Sequence, residues 1–136
     1  MAYQNPDKST IKEILQTKKR IAVVGLSDRP ERTSYQVSQY MQNNGYEIIP
    51  VNPSVSEVLG EKAYKSLQDI DGKIDIVNVF RRSEHLPEVA KETRKVGADV
   101  FWAQLGLKND EAAEILQDSD TTVVMDRCIK VDHASM

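Results

Sequence analysis

Hydrophobic and polar positions divide the chain into two alternating kinds of segment. Mostly apolar runs at residues 20–25, 46–51, 74–80, 99–103 and 121–125 predict buried strands. Apolar residues at helical spacing predict helices at residues 9–19, 34–44, 83–96 and 109–117. Strands that alternate with helices in this way are typical of a parallel sheet with right-handed crossovers.

We therefore predict one α/β domain over residues 1–136. It is doubly wound and Rossmann-like, with a mainly parallel sheet of five to six strands and helices on both faces. Residues 57–66 carry the weakest pattern, because Gly60 interrupts them, and residues 62–65 are predicted as a short edge strand. Residues 126–136 are predicted to form a tail.

Local signals set the predicted ends of the helices. Ser34, Ser83 and Asn109 are predicted helix caps, since short polar side chains accept hydrogen bonds from the first-turn N–H groups. Gly45 and Gly97 suit the left-handed position that ends a helix.

The predicted topology also locates the ligand crevice. Doubly wound sheets bind ligands beyond the carboxyl ends of their strands, where the strand order reverses. Here that position lies between the first strand and the strand at 74–80. The loops to examine follow Gly25, Val51, Phe80, Trp102 and Met125.

The first of these loops has the composition of an anion site. Gly25 allows a sharp turn, Ser27 and Ser34 offer hydroxyls, and Arg29 and Arg32 add positive charge. The following helix N-terminus adds unpaired N–H groups, so the loop suits a phosphate or pyrophosphate. The alternative is that Ser34 only caps the helix and the arginines are solvated.

Two tests argue against an ordinary NAD site. The Gly-x-Gly-x-x-Gly pattern is absent, and Asn52 and Pro53 stand where an acidic residue would hold the ribose hydroxyls. Asn52 can bond a ribose or base edge and Pro53 can form a wall, or the pair can be a simple turn. The missing carboxylate suits a nucleotide that carries a ribose phosphate.

Other candidates for chemistry are weaker. Arg81 and Arg82 follow a buried strand, where one of them can face the ligand, or both can pair with surface carboxylates. His85 is predicted at the surface, and Gln104 is a polar contact or part of a turn. Cys128 is either a reactive thiol near the crevice or a small buried hydrophobe. No catalytic constellation and no metal site is predicted.

Composition limits the class of protein. A net charge of −3 disfavours nucleic acid as a partner, and no apolar run is long enough for a membrane span. A single cysteine excludes an internal disulfide framework and predicts a reducing compartment, with the cytoplasm as the default. A homo-oligomer or an unknown protein partner stays open.

Six segments in order resemble the stand-alone CoA-binding proteins, which are similar to the CoA-binding domain of the succinyl-CoA synthetase α subunit. These segments are residues 21–27, 45–53, 59–64, 75–82, 102–106 and 124–128. The resemblance implies a Rossmann-type fold and a site for coenzyme A or an acyl-CoA, whose ribose 3′-phosphate accounts for the missing carboxylate. Leu26 departs from the pattern because a small residue is commoner there.

The resemblance implies that three stretches contact CoA. These are the phosphate loop (Gly25, Leu26, Ser27, Arg29, Arg32 and Ser34), Asn52–Pro53 at the nucleotide end, and Phe80, Arg81 and Arg82 beside it. The ligase domain of the larger synthetases is absent from this sequence, so binding without catalysis is favoured and enzymatic activity is left open. The alternatives are an NADP-dependent or other nucleotide-dependent enzyme, and an acyl-CoA-sensing regulatory or interaction subunit, including one with CoA linked to Cys128.

Overall fold

The structure, a computed structural model, describes residues 3–136, so the first two residues of the predicted domain lie outside the described residues. The helices are α1 Lys8–Thr17, α2 Thr33–Asn43, α3 Leu86–Val96, α4 Asp110–Leu116 and α5 Ile129–Ala134. The strands are β1 Arg20–Val24, β2 Glu47–Val51, β3 Glu57–Val58, β4 Glu61–Lys62, β5 Ile76–Val79, β6 Val100–Ala103 and β7 Thr122–Val124.

Five of the strands form one parallel sheet in the order β2-β1-β5-β6-β7. The chain moves outward from β1 to β2 and then crosses back to place β5 on the other side of β1. The strand order therefore reverses between β1 and β5, which are the two strands predicted to flank the crevice. The predicted α/β, doubly wound fold is confirmed.

Alternate residues of the strands feed two separate cores. On one face, Ala22, Val77 and Phe101 pack with the buried sides of α3 and α4. On the other, Ile21, Ile76 and Trp102 pack with α1, α2 and α5. This alternation follows from the two-residue side-chain period of a strand, and it covers both faces of the sheet with helices.

Two polar side chains within the core connect the sheet to α5. Gln104 donates a hydrogen bond from its amide to Asn78 Oδ1, and its own oxygen accepts from the N–H of Ile129 at 3.3 Å. The side chains of Gln104 and Asn78 are almost fully buried. Since buried polar groups need partners, this network fixes where α5 begins.

The region 126–136, predicted as a tail, contains α5. The prediction was wrong because this helix has six residues and only Ile129 of them is buried, too few positions to reveal a helical period. Its N-terminal end is held by Gln104 and its side chains pack near α1 and α2.

The predicted edge strand at 62–65 was wrong in its extent, because strand β4 covers Glu61–Lys62. Strands β3 and β4 form a small antiparallel hairpin whose turn places Leu59 and Gly60 at positive φ. Tyr64 forms a single parallel bridge to Val51 at the end of β2.

Two predicted caps were also wrong. Helix α2 begins one residue before Ser34, with Arg32 at its N-cap, and the Ser34 hydroxyl accepts from the N–H of Ser27. Ser83 starts a single 3₁₀ turn before α3, and its Oγ accepts from the N–H of Lys108 at 3.2 Å. Asn109 caps α4 as predicted, through the N–H of Ala112.

Within residues 3–136, no helix has the length and apolar character that crossing a bilayer requires.

Candidate functional site

A cleft of about 340 Å³ opens at the carboxyl ends of β1, β2 and β5, on the face covered by α3. It lies where the strand order reverses, which is the usual ligand position in this architecture. Its lining consists of Val24, Gly25, Val51, Asn52, Pro53, Lys65, Ser66, Arg81, Glu88 and Glu92.

Gly25 is the point at which the three strands meet. Its N–H donates to the carbonyl of Val51 at 2.9 Å, while the N–H of Phe80 donates to the carbonyl of Val24 at 2.9 Å. Gly25 adopts φ +87°, and a Cβ on it would lie 2.7 Å from the carbonyl oxygen of Phe80. Only glycine combines this backbone conformation with so close an approach.

The loop after Gly25 is held by its own serines. The N–H of Ser27 donates to Ser34 Oγ at 3.0 Å, and the N–H of Arg29 donates to Ser27 Oγ at 3.1 Å. A hydroxyl that accepts a bond still has its own hydrogen to donate, so both serines can donate to an anion. Leu26 is fully buried in the core on the α2 face, which anchors the start of the loop.

The start of α2 has the electrostatics of an anion site. Arg32 gives no side-chain bond to cap the helix, and the first turn contains no acidic residue. The first N–H groups therefore receive no cap from Arg32 and carry the positive end of the helix dipole. Among residues 3–136, the exposed side chain of Arg32 forms no ion pair, whereas Arg29 lies 3.4 Å from Glu31.

Asn52 ties the loop after β2 to the loop after β1. Its Nδ2 donates to the carbonyl of Leu26 at 3.0 Å, and its Oδ1 accepts from the N–H of Ser54 at 2.9 Å. The amide thus has a clear structural role, with one N–H left that could reach a ligand. Pro53 is exposed and forms part of the cleft wall.

The residues after β5 separate into three environments. Arg81 lines the cleft, while the side chain of Arg82 is 86% exposed, with a guanidinium nitrogen 3.9 Å from Glu84. Phe80 packs onto the core on the α2 face, and its backbone approaches Gly25.

The predicted site residues thus form two groups that meet at Gly25. The cleft group contains Gly25, Asn52, Pro53 and Arg81; the loop group contains Leu26, Ser27, Arg29, Arg32 and Ser34. The side chains of Phe80 and Arg82 belong to neither group. Whether any of them touches a ligand stays a prediction.

Sequence reasoning missed two apolar residues of the cleft, Val24 and Val51, and four polar ones: Lys65, Ser66, Glu88 and Glu92. Glu88 and Glu92 stand four residues apart on α3, and this spacing, which places them on one face, was available in the sequence. Lys65 had no such signal, because it reaches the cleft through the isolated bridge between Tyr64 and Val51.

Glu92 has an unfavourable environment for a charged carboxylate. Burial, followed by the negative charge of Glu88, raises the pKa of Glu92, and Arg81 and Lys95 offset this only in part. A carboxyl with a raised pKa that faces a cleft is typical of a functional position rather than a stabilising one.

We expect Glu92→Gln to stabilise the fold slightly at neutral pH. Because the folded pKa lies above the unfolded one, ionised Glu92 opposes folding, and stability recovers as pH falls through the folded pKa. The gain should stay below about 1 kcal/mol, since partly exposed charges are screened. Urea unfolding at pH 5 and pH 8 measures it, with exposed Glu114→Gln as the control. If Glu92→Gln is no more stable than the control at pH 8, ionised Glu92 does not oppose folding and the prediction is wrong.

The other chemical candidates lie away from the cleft lining. His85 is half-buried in the turn before α3, Gln104 uses both ends of its amide within the fold, and half-buried Cys128 packs on the α2 face. In the part of the chain from residue 3 onward, no group of His, Cys, Asp or Glu side chains is arranged to hold a metal ion.

Some known proteins are similar to this chain over nearly its full length, and some ligases are similar to part of it. The uncharacterized protein YneT of Bacillus subtilis is 66% identical over 96% of this chain and 97% of its own. A solved hypothetical protein from Pyrococcus horikoshii has a TM-score of 0.92 at 36% identity, covering 99% of this chain and 98% of its own. An ADP-forming acetate–CoA ligase of Methanocaldococcus jannaschii is 29% identical over 58% of this chain, a match that spans only 11% of the ligase.

The family comparison covers most of the fold described above. Residues 19–134, from one residue before β1 to the end of α5, match the model of the CoA binding domain. The match includes the phosphate loop and the cleft, and the chain belongs to the CoA-binding domain family.

Proposed function

We propose that this protein binds coenzyme A or an acyl-CoA and has no catalytic activity of its own. The observation that carries the proposal is the loop from Gly25 to Ser34. It brings together two hydroxyls, an arginine that forms no ion pair among residues 3–136, and a helix N-terminus that its N-cap side chain leaves uncapped, in a chain that matches the CoA-binding domain family. Such a loop suits the pyrophosphate of a nucleotide.

The cleft beside the loop supports a nucleotide rather than a simple anion. Its volume of about 340 Å³ lies in the range of small-molecule sites, and Val51 and Pro53 form an apolar part of its wall. Pyrophosphate in the loop would leave the nucleoside end of the ligand within reach of the cleft. A cytoplasmic location belongs to the same proposal, because the single cysteine favours a reducing compartment.

One observation favours a dinucleotide with free ribose hydroxyls, such as NADH, and keeps a nucleotide-dependent enzyme as a second candidate. The carboxylate that β2 lacks is supplied from α3, because Glu88 and Glu92 share the cleft with Asn52 and Pro53. Carboxylates near that position can bind ribose hydroxyls.

Thermal unfolding with CoA, acetyl-CoA, NADH and NADPH distinguishes the two candidates. A ligand at a hundredfold excess over its Kd stabilises the fold by about 2.7 kcal/mol, which raises the Tm of a domain of this size by several degrees. We expect that shift with CoA or acetyl-CoA. A shift with NADH or NADPH and none with either CoA compound would overturn the proposal.

A further inference from the structure

The cleft contains an unusual set of charges. Lys65, Arg81, Glu88 and Glu92 all line it, yet none of these four side chains forms an ion pair with any residue from 3 to 136. Arg82, by contrast, turns toward a carboxylate at the surface. The cleft thus offers two cations whose charge is not taken up by direct contacts, together with two carboxylates.

The fold positions the two cations on opposite sides of β1. Tyr64 pairs with β2 through its bridge to Val51, and the carbonyl of Tyr64 accepts a hydrogen bond from the N–H of Asn52 at 2.9 Å. These contacts bring the next residue, Lys65, to the end of β2. Arg81 follows β5, and its Cγ lies 3.3 Å from the position that a Cβ would take on Gly25. One positive side chain therefore reaches the cleft beside the end of β2, and another reaches it from the loop after β5.

This place is separate from the loop at the start of α2. Leu26 enters the core on the α2 face, whereas the cleft is lined by Val24 and Val51 of the α3 face. A ligand with two separate phosphate groups can therefore meet positive charge on both sides of Gly25. The two carboxylates restrict the cleft to a single phosphate group, held by the two cations, and they can accept hydrogen bonds from an amino or hydroxyl group beside it.

We infer that Lys65 and Arg81 bind the ribose 3′-phosphate of the ligand, and that Glu88 and Glu92 face the nucleoside that carries it. The inference rests on the proposed function and adds to it a second anion site. It makes the cleft responsible for selecting CoA over its dephosphorylated form.

Calorimetric titration of the full chain with CoA and with dephospho-CoA tests the assignment. For the unmodified protein, we expect dephospho-CoA to bind roughly ten- to a hundredfold more weakly, because it lacks charge-assisted contacts. In Lys65→Ala and Arg81→Gln, we expect the affinity for CoA to fall toward that for dephospho-CoA, which should itself change little. Lys62→Ala, on β4 and outside the cleft, is the control and should retain the preference for CoA.

The outcomes separate the inference from the proposed function. Equal affinity of the unmodified protein for both compounds would overturn the second anion site and leave CoA binding intact. The second anion site would also be overturned if Lys65→Ala keeps the full preference for CoA, or if it lowers the affinity for CoA and for dephospho-CoA equally. Lys65 is exposed, so this variant tests the assignment even if Arg81→Gln disturbs the packing beside Gly25. Failure of the unmodified protein to bind either compound would contradict the proposed function itself.

Discussion

Gly25→Ala is expected to lower the free energy of unfolding by about 2–4 kcal/mol. An L-residue at φ +87° costs about 1–2 kcal/mol in backbone energy, and the new Cβ would lie 2.7 Å from the carbonyl oxygen of Phe80. Because that atom belongs to the backbone of the adjoining β5 loop, it can move away only if β1 and β5 separate at their carboxyl ends. The same movement would distort the cleft, so we expect the variant to lose ligand binding as well.

Gly45→Ala provides the matched control for this prediction. Gly45 follows α2 at φ +91°, and no heavy atom lies within 4 Å of the position its Cβ would occupy. It should therefore show only the backbone cost of about 1–2 kcal/mol. Urea unfolding gives the loss in free energy of unfolding for each variant, and the difference between the two losses is the cost of the contact with Phe80. An equal loss in both variants would show that this contact does not destabilise Gly25→Ala.

Arg32→Ala is expected to weaken CoA binding by roughly ten- to a hundredfold, with no change in stability. A charge-assisted bond to a phosphate contributes about 1.5–3 kcal/mol. The Arg32 side chain is exposed and forms no hydrogen bond or ion pair within residues 3–136, so the fold does not depend on it. Calorimetric titration with CoA measures the affinity, and thermal unfolding checks the fold.

The control for Arg32 is Arg94→Ala. Arg94 lies at the end of α3, where its guanidinium contacts Asp118 at 2.6 Å, and it is not among the residues that line the cleft. The variant removes the same charge and should retain CoA affinity even if it loses some stability. Unchanged affinity in Arg32→Ala, or an equal decrease in both variants, would remove Arg32 from the site.

The main sheet was predictable because it is buried on both faces. Mostly apolar runs such as Ile76–Val79, in which Asn78 alone is polar, signal a strand of this kind without any knowledge of its neighbours. Asn109 was likewise predictable as a cap, because its side chain bonds to an N–H three residues away. Elements that depend on nearby residues alone could therefore be predicted from the sequence.

The features that sequence reasoning missed depend on contacts between distant residues. Helix α5 is held by Gln104, 25 positions before Ile129, and its own sequence is too short to show a period. Lys65 enters the cleft because Tyr64 pairs with β2, and the hydroxyl of Ser34 serves Ser27 rather than capping α2. For the candidate site, the sequence therefore indicated the loops and their charges, whereas the division into a phosphate loop and a separate cleft required the fold.

Native mass spectrometry of the freshly purified protein, alone and with added CoA or NADPH, tests the central claim most directly. It reports the ligand that each chain carries and the number of subunits in the same spectrum. We predict an addition with the mass of one CoA or acyl-CoA per chain, present on purification or formed when CoA is added. A spectrum that shows no such addition at saturating CoA, and shows one with NADPH, would contradict the account.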